Sequence, residues 1–409
     1  MKWCFVKVEE ARSIGARLRE IRIWRDKPLR VIAELAGITE SYLSKIERGL
    51  RPLNSRSLLE ALAGALEVAP GELTGVYELM SAEDMGEAHT AVVALRVALA
   101  DNALDDPADD LSRPWPELAA VLQRVNSELR PAADYAAMGL VLPGLITDLH
   151  AVAASDPGHR RKALGCLLDV YAASSAIAKH LGEPDLAAIA AMHARAVAAE
   201  LDSPAHTALA ELLRAWAVSV PARERSLVLA NRAADRVASW VGTDEGATEM
   251  YGMLHLTCAL NAAALRRTVE SADHQAEAAE IAARVGSGIN FGHQAFGLAN
   301  FGFWRVHLAV ARGEGAKVRE LARGVDPTAV KSASRQAAFY ADLGQGIATE
   351  RAHRHEAVAA LRTAERLAPQ RVRANPFVRE TVVDLMRRAR RDAIGRELRG
   401  MAYRMGLAH

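Results

Sequence analysis

Cysteine and aromatic residues are scarce in this chain of 409 residues, which has three cysteines and only 5% Phe, Trp and Tyr. Cys4, Cys166 and Cys258 lie far apart, so their spacing predicts neither a disulfide framework nor a zinc knuckle. We expect them to be buried apolar residues. With 50% hydrophobic and 25% charged residues, the composition predicts a folded chain that can form two or more cores.

Long apolar segments are missing too. No apolar run approaches roughly 20 residues, the length of a membrane-spanning helix. The N-terminal sequence MKWCFVKVEE lacks the apolar core and the small-residue cleavage site of a signal peptide. These absences predict a cytoplasmic protein that does not act on a membrane.

Arrangements of residues typical of catalysis or metal binding are also absent. ARGEGAK at 311–317 has neither the spacing nor the Ser or Thr of a phosphate-binding loop, and HRHE at 353–356 lacks the second histidine of a helical zinc site. The 13 histidines are scattered. We therefore expect no enzyme activity, no catalytic residues, no metal site and no cofactor.

Two short helices joined by a tight turn are predicted within Leu29–Arg51, whose sequence is LRVIAELAGITESYLSKIERGLR. Pro28 can begin the first helix because its missing N–H costs nothing there, and Gly37 ends that helix. Thr39 is suited to cap the second helix, since its hydroxyl can accept a hydrogen bond from a free amide of the first turn. Gly49 ends the second helix.

The second helix has two chemically different faces. At 100° per residue, its polar side chains fall within an arc of about 140° and its apolar side chains lie opposite. Ala33 is small where the two helices must cross closely, which favours a helix-turn-helix over an ordinary helical hairpin. The polar face consists of Glu40, Ser41, Ser44, Lys45 and Arg48, and the apolar face of Tyr42, Leu43 and Ile46.

At these residues the sequence resembles the lambda-repressor-like, or Xre-type, helix-turn-helix family, from about Ile14 to Leu73. The resemblance implies a head of five helices at Ile14–Trp24, Leu29–Ala36, Glu40–Arg48, Ser57–Leu66 and after Pro70. It also implies that double-stranded DNA is the partner of the head. Residues at or near the base edges would be Glu40, Ser41, Ser44 and Lys45, and residues on the phosphate side would be Thr39, Tyr42, Arg48, Arg51 and Ser55.

Charge is segregated along the chain even though its formal net charge is only +1. Residues 11–56 carry 11 Lys and Arg against 5 Asp and Glu, whereas residues 76–160 carry 5 against 14. Because nucleic-acid binding gains free energy from counterion release, the basic block agrees with a DNA-binding head. A second basic block, Arg371–Arg404, carries 10 Arg against 4 acidic residues and is interpreted as the cap of a solenoid, with contact to DNA or an acidic partner as the alternative.

The rest of the chain shows apolar residues at helical spacing, with short breaks roughly every 15–25 residues and no strand-like alternation. Ser155–Gly158 and Asp202–Pro204 are examples of these breaks. Helix–break–helix units in this number predict an α-solenoid. The best match to a tetratricopeptide repeat is formed by Ala357, Leu361, Ala364 and Pro369.

We therefore predict an all-α protein with a helix-turn-helix domain at 11–75, connecting helices and a flexible linker at 76–116, and a tetratricopeptide-like solenoid at 117–409. Taken whole, the chain resembles bacterial regulators with an Xre-type head and a tetratricopeptide-like sensor, including the Gram-positive peptide-signalling (RRNPP-type) regulators of quorum sensing. Two heads on adjacent half-sites are expected because one head buries too little DNA, which predicts a homodimeric transcriptional regulator. The alternative is a tetratricopeptide adaptor that binds a protein and uses the head for localisation or autoregulation.

The expected effector of such a solenoid is an extended signalling peptide or, second, a small molecule. Asn231, Asn261 and Asn300 lie 30 and 39 residues apart, about one repeat each, which would place them along one groove. An amide side chain can donate to and accept from a peptide backbone. Beside them, Trp304 and Arg305 are candidates for a side-chain pocket and a carboxylate partner. The alternative is that these asparagines are ordinary mid-helix residues bonded to their own backbone or to solvent.

Overall fold

The N-terminal head is a bundle of five short helices with its own apolar core. This computed structural model describes residues 14–53, 55–68, 70–74, 86–108, 112–218, 222–348, 350–388 and 393–407. Leu18, Leu43 and Leu62 are among the fully buried side chains of the head. The five expected helices are confirmed, with the bounds α1 (Ile14–Trp24), α2 (Leu29–Leu35), α3 (Glu40–Glu47), α4 (Arg56–Leu66) and α5 (Pro70–Thr74).

A long array of helices follows the head, and no strand occurs among the residues described. The predicted fold class, an all-α chain with a five-helix head followed by an α-solenoid, is confirmed. The helices of the array are α6 (Gly86–Asp101), α7 (Trp115–Arg124), α8 (Arg130–Ala132), α9 (Tyr135–Ser155), α10 (Arg160–His180), α11 (Pro184–Leu201), α12 (Pro204–Ala217), α13 (Arg223–Val237), α14 (Glu245–Ala264), α15 (Thr268–Val285), α16 (Leu298–Ala311), α17 (Gly315–Arg323), α18 (Ala333–Ile347), α19 (Arg354–Leu367), α20 (Pro369–Arg373), α21 (Pro376–Arg388) and α22 (Ala393–Arg404).

The helices of the array form two layers. Consecutive helices from α9 to α15 pack against one another, as do α16 to α19. In addition, the alternate helices α10, α12, α14, α16 and α18 contact each other in that order. These five helices therefore form a continuous inner layer, and α11, α13, α15, α17 and α19 lie outside it.

The inner layer curves until the beginning and the end of the array meet. Helix α8 contacts α18. The backbone N–H of Tyr135 donates to the side chain of Gln370 over 3.1 Å, and the Tyr135 hydroxyl lies 3.0 Å from Ser334 Oγ and 2.7 Å from His180 Nδ1. Because the contacts of Tyr135 with Ser334 and Gln370 join residues 199 and 235 positions apart in the sequence, the array curves around a central space.

The described part of the predicted connecting segment, 76–116, packs as part of the array. Residues 75–85 lie outside the described residues. Helix α6 lies along α9 so closely that a Cβ on Gly139 would come within 1.9 Å of Ala91 Cβ. Further on, buried Asn102 donates to Ala98 O over 2.9 Å, and Arg113 pairs with Asp148 over 2.6 Å. Hydrogen bonds therefore hold both ends of the stretch that the sequence assigned to a linker.

Helix α9 is the one described helix that is long and apolar enough to cross a membrane, with a mean hydropathy of 1.5 over 18 residues. More than half of that segment, 56%, is buried against the rest of the protein. Its length and composition fit a core helix packed between α6 and α10.

The head is docked against the array, chiefly through α4 and α14. The backbone N–H of Ile14 donates to Glu380 Oε2 over 3.3 Å. Arg223 Nε donates to Glu60 Oε1 over 3.1 Å, and both side chains are largely buried. Phe377 of α21 packs against the apolar core of the head. These contacts fix how the head faces the central space.

Candidate functional site

Helix α3 buries its apolar side and exposes its polar side. Thr39 caps the helix, with its hydroxyl accepting from the Tyr42 N–H over 3.2 Å, as the sequence predicts. Leu43 and Ile46 are fully buried in the head core. The opposite side of the helix is therefore free to enter a groove.

Most of the predicted DNA-contacting residues lie on one accessible surface. Ser55 is half-buried because it caps α4, accepting from the Leu58 N–H over 3.3 Å. Arg48 Nε donates to Ser44 O over 3.2 Å, which holds its guanidinium near the end of α3. The exposed members are Thr39, Glu40, Ser41, Lys45, Arg48 and Arg51, and the half-buried members are Tyr42, Ser44 and Ser55.

A buried ion pair, which sequence reasoning did not identify, holds α3 against α1. Arg22 Nε and Nη2 donate to the two oxygens of the Glu47 carboxylate, over 2.6 Å and 2.9 Å. This bidentate geometry fixes both distance and orientation, and the Glu47 carboxylate raises the pKa of Arg22. The orientation of α3 therefore depends on Arg22 as well as on the apolar face of α3.

Gly15 lets α1 cross α3 at backbone contact. A Cβ at this position would lie 2.0 Å from the carbonyl oxygen of Ile46. We therefore expect Gly15→Ala to destabilise the head by about 1–3 kcal/mol, the usual cost of overpacking. Thermal unfolding of the two proteins measures this loss. Gly64→Ala on α4 is the matched control, because a Cβ there meets no atom within 4 Å; an equal loss in both variants would contradict the close crossing.

The array adds exposed arginines beside the helix-turn-helix. Arg387 donates to the carbonyl oxygen of Gly49, at the end of α3, over 2.7 Å. An Nη1 atom of Arg266 lies 3.0 Å from where a Cβ on Gly37 would be. Both arginines are exposed. The positive surface around α3 is thus built partly by residues far away in the sequence.

A second candidate site is a cavity of about 400 Å³ between the head and the inner layer of the array. One wall is formed by residues of α10, α12, α14, α16 and α18. Arg56, Leu59 and Glu60 of α4, with Pro70 and Thr74 of α5, form the opposite wall. The head and the array therefore both contribute to the wall of this cavity.

The cavity wall is strongly cationic. Six of its residues are basic and only two, Glu60 and Asp342, are acidic. Burial lowers the pKa of His307, although the carboxylate of Asp342, 2.6 Å from its Nδ1, opposes that shift. The basic residues are Arg56, Arg130, Lys179, Arg223, Arg335 and Arg371.

Three buried polar atoms of the cavity wall have no hydrogen-bond partner in the described part of the chain: Arg130 Nε, Asn300 Oδ1 and Trp304 Nε1. Asn300 is only 2% exposed and Trp304 only 7% exposed. A buried polar atom without a partner costs roughly 1–3 kcal/mol. The wall therefore presents one acceptor and two donors whose bonding capacity is unused.

A strained loop between α15 and α16 completes the wall. Asn290, His293 and Ala295 all have φ between +53° and +60°, a region that non-glycine residues adopt only at a cost. Glu249 holds the loop, since its carboxylate accepts from the N–H groups of residues 289–291, with distances of 3.1 Å and 2.7 Å for the last two. The loop thereby places the carbonyl of Gln294 3.4 Å from Arg335 Nη2.

Three of the five predicted ligand-binding residues line the cavity, namely Asn261, Asn300 and Trp304. Asn261 is already bonded, donating to Ser226 Oγ and accepting from Arg223. The other two lie outside the cavity. Asn231 belongs to the outer helix α13, where its side chain accepts a hydrogen bond from Cys258 Sγ of α14, and Arg305 is exposed on α16.

Sequence reasoning did not identify the cationic residues of the cavity. They are separated by dozens of residues in a chain rich in arginine, so no local pattern distinguishes them. Within the described ranges, no three or more His, Cys, Asp or Glu side chains are grouped so that they could hold a metal ion.

Comparison with known proteins agrees with the geometry of α2 and α3. Residues 13–74 match the family described as a helix-turn-helix domain, so the head is a helix-turn-helix domain. The chain is also 35% identical over 74 residues to the HTH-type transcriptional regulator SinR of Bacillus licheniformis. That alignment covers 18% of this chain and 61% of SinR, less than two thirds of its length.

Among solved structures, the chain is similar to PlcR of Bacillus thuringiensis, whose crystal structure contains the peptide PapR7 and DNA. The two chains share 15% identity, and the match covers 66% of this chain and 94% of PlcR with a TM-score of 0.25. A similarity with this TM-score carries no argument about ligands, so the peptide and the DNA are described for PlcR only.

Proposed function

We propose that this chain is a sequence-specific, DNA-binding transcriptional regulator whose helical array senses a signalling peptide or a small molecule and joins two copies into a homodimer. The observation that carries the proposal is the capped helix α3, which exposes Glu40, Ser41 and Lys45 while its apolar side is buried. The similarity of the chain to a transcriptional regulator supports it. Such a protein acts in the cytoplasm by binding, not by catalysis.

The small number of base pairs that one head can contact supports a dimer. One α3 helix reads only a few base pairs, and two heads about one helical turn apart on the DNA would give the affinity and specificity of an operator. The cavity supports sensing, because it is lined by both apolar and polar groups and includes residues of the head as well as of the array.

A selection of bound duplexes from random DNA, made with the full chain at two salt concentrations, tests the proposal. We expect enrichment of one sequence with two related half-sites, and affinity that falls as salt rises. Light scattering of the complex should give two protein chains per duplex. If no sequence is enriched at either salt concentration, the protein is not a sequence-specific regulator and the adaptor function is favoured.

A further inference from the structure

We infer that the cavity binds a small amphipathic anion and that the bound anion contacts the DNA-binding head directly through Arg56. This inference rests on the proposed function, since it names the chemical class of the effector and the route by which the effector reaches the head. The ligand would carry more than one negative charge on carboxylate or phosphate groups, together with an aromatic or aliphatic part.

The charge of the cavity wall supports an anion because most of its cations lack a carboxylate partner. Glu60 pairs with Arg223, and Asp342 lies against His307. Within the described part of the chain, no carboxylate oxygen lies within 4.0 Å of the other five basic groups. These five are Arg56, Arg130, Lys179, Arg335 and Arg371.

Lys179 shows the imbalance most clearly. Its ammonium lies 4.5 Å from the centre of the Trp216 ring, and it has neither a hydrogen bond nor an ion pair with any described residue. Burial lowers the pKa of Lys179 well below its usual range, and the guanidinium of Arg371 lowers it further. An ammonium in this position is costly unless an anion enters beside it.

Burial also lowers the pKa of two guanidinium groups in the cavity wall. Burial and the guanidinium of Arg223 lower the pKa of Arg56 to about 10, although the carboxylates of Asp342 and Glu60 oppose that shift. Burial also lowers the pKa of Arg335 to about 10, again with a neighbouring guanidinium, that of Arg371, adding to the effect. Several like charges sharing one low-dielectric space form a preorganised site for a multiply charged anion.

The rest of the wall suits an apolar group of limited size. The cavity volume of about 400 Å³ is at the lower end of the range for small-molecule sites. Its apolar surface includes six aromatic rings beside aliphatic side chains, namely Tyr135, Trp216, Phe303, Trp304, Phe339 and Phe377. Asn300 Oδ1 and Trp304 Nε1, which have no described partner, are available to a ligand of mixed polarity.

Arg56 connects such a ligand to the head. It belongs to α4, the helix that follows the helix-turn-helix, and its Nη1 lies 3.3 Å from His307 Nε2 in the array. Its guanidinium also lies over the ring of Phe377, 5.5 Å from the centre. An anion bound between Arg56 and Arg335 would strengthen the docking of the head and fix the direction in which α3 points.

The test uses 8-anilinonaphthalene-1-sulfonate, an aromatic anion whose fluorescence rises in apolar surroundings. We expect the full chain to bind this dye and inorganic pyrophosphate or citrate to displace it, whereas acetate at equal ionic strength does not. Stronger displacement by pyrophosphate identifies a phosphate ligand, and stronger displacement by citrate a carboxylate ligand. Dye binding that none of these anions affects would overturn the inference.

Substitutions in and outside the cavity wall test where the dye binds. Arg335→Gln and Lys179→Met should each weaken dye binding at least tenfold, whereas Arg305→Gln, on the exposed side of α16, should leave it unchanged. Circular dichroism verifies that each variant is folded. Equal dye affinity in all three variants would place the anion outside the cavity and overturn the inference.

A second measurement tests the contact with the head. Saturating pyrophosphate or citrate, whichever displaces the dye, should slow hydrogen exchange of the α4 amides at least threefold, and Arg56→Gln should remove most of that protection. Unchanged exchange in α4 would contradict the coupling. None of these measurements uses DNA, so failure of the anion site and failure of the DNA-binding function are distinguishable.

Discussion

Arg48→Ala and Arg51→Ala should each weaken binding of the full chain to every duplex, cognate or random, by roughly tenfold. Both side chains are exposed near the end of α3, and the family resemblance implies that they contact DNA phosphates. Each lost phosphate contact should also make the dependence of affinity on salt shallower by about 0.9 in the logarithmic slope. Fluorescence titrations at several salt concentrations measure both effects.

Variants of the base-side residues should behave differently. Ser41→Ala or Lys45→Ala should lose about 1–3 kcal/mol of discrimination at one or two base pairs, with little change on random DNA. Arg305→Ala is the matched control for the loss of a positive charge, because Arg305 is exposed on the array. If the phosphate-side and base-side variants gave the same pattern on both kinds of DNA, α3 would not be the helix in the major groove.

The head could be predicted almost residue by residue because its signals are local. Thr39 caps α3 as expected, and the observed helix ends at Leu35, Glu47 and Arg56 differ from the expected ones by a single residue. Caps, glycine stops and a 3.6-residue period all act within one or two turns. The ion pair of Arg22 with Glu47 was missed because its partners are 25 residues apart and each also fits a surface position.

The course of the array was less predictable than its helices. Alanine-rich helices can pack closely at many angles, so helical spacing and breaks predict an array of helices but not its curvature. Contacts such as Tyr135 with Ser334, which close the array, join residues 199 positions apart. No local pattern indicates such a contact.

Helix geometry explains why only some of the predicted ligand-binding residues line the cavity. Repeat spacing placed Asn261 and Asn300 on α14 and α16, both inner-layer helices, whereas Asn231 lies on α13 in the outer layer. Successive residues of a helix point about 100° apart, so Arg305 lies about 200° around α16 from Phe303, which lines the cavity together with Trp304. Trp304 lines it and Arg305 is exposed.

Arg223→Ala should release the head from the array. Among the Arg and Lys residues of the described cavity wall, only Arg223 has a carboxylate within 4.0 Å, that of Glu60 of α4, and its Nη1 also donates to Asn261 Oδ1 over 3.4 Å. Removing one partner of a buried ion pair leaves an uncompensated charge and costs about 3–5 kcal/mol. We expect α4 amides to exchange hydrogen much faster and thermal unfolding of the head to separate from that of the array.

The double variant Glu60→Gln with Arg223→Met distinguishes loss of the pair from loss of packing. It removes both charges while keeping comparable side-chain volume, so it should recover most of the docking that Arg223→Ala loses. Arg267→Ala is the control, because its pair with Glu224 is exposed and worth at most about 1 kcal/mol. If Arg223→Ala and Arg267→Ala changed α4 exchange equally, the ion pair would not hold the head, and the docking would depend on apolar contacts such as that of Phe377 with the head core.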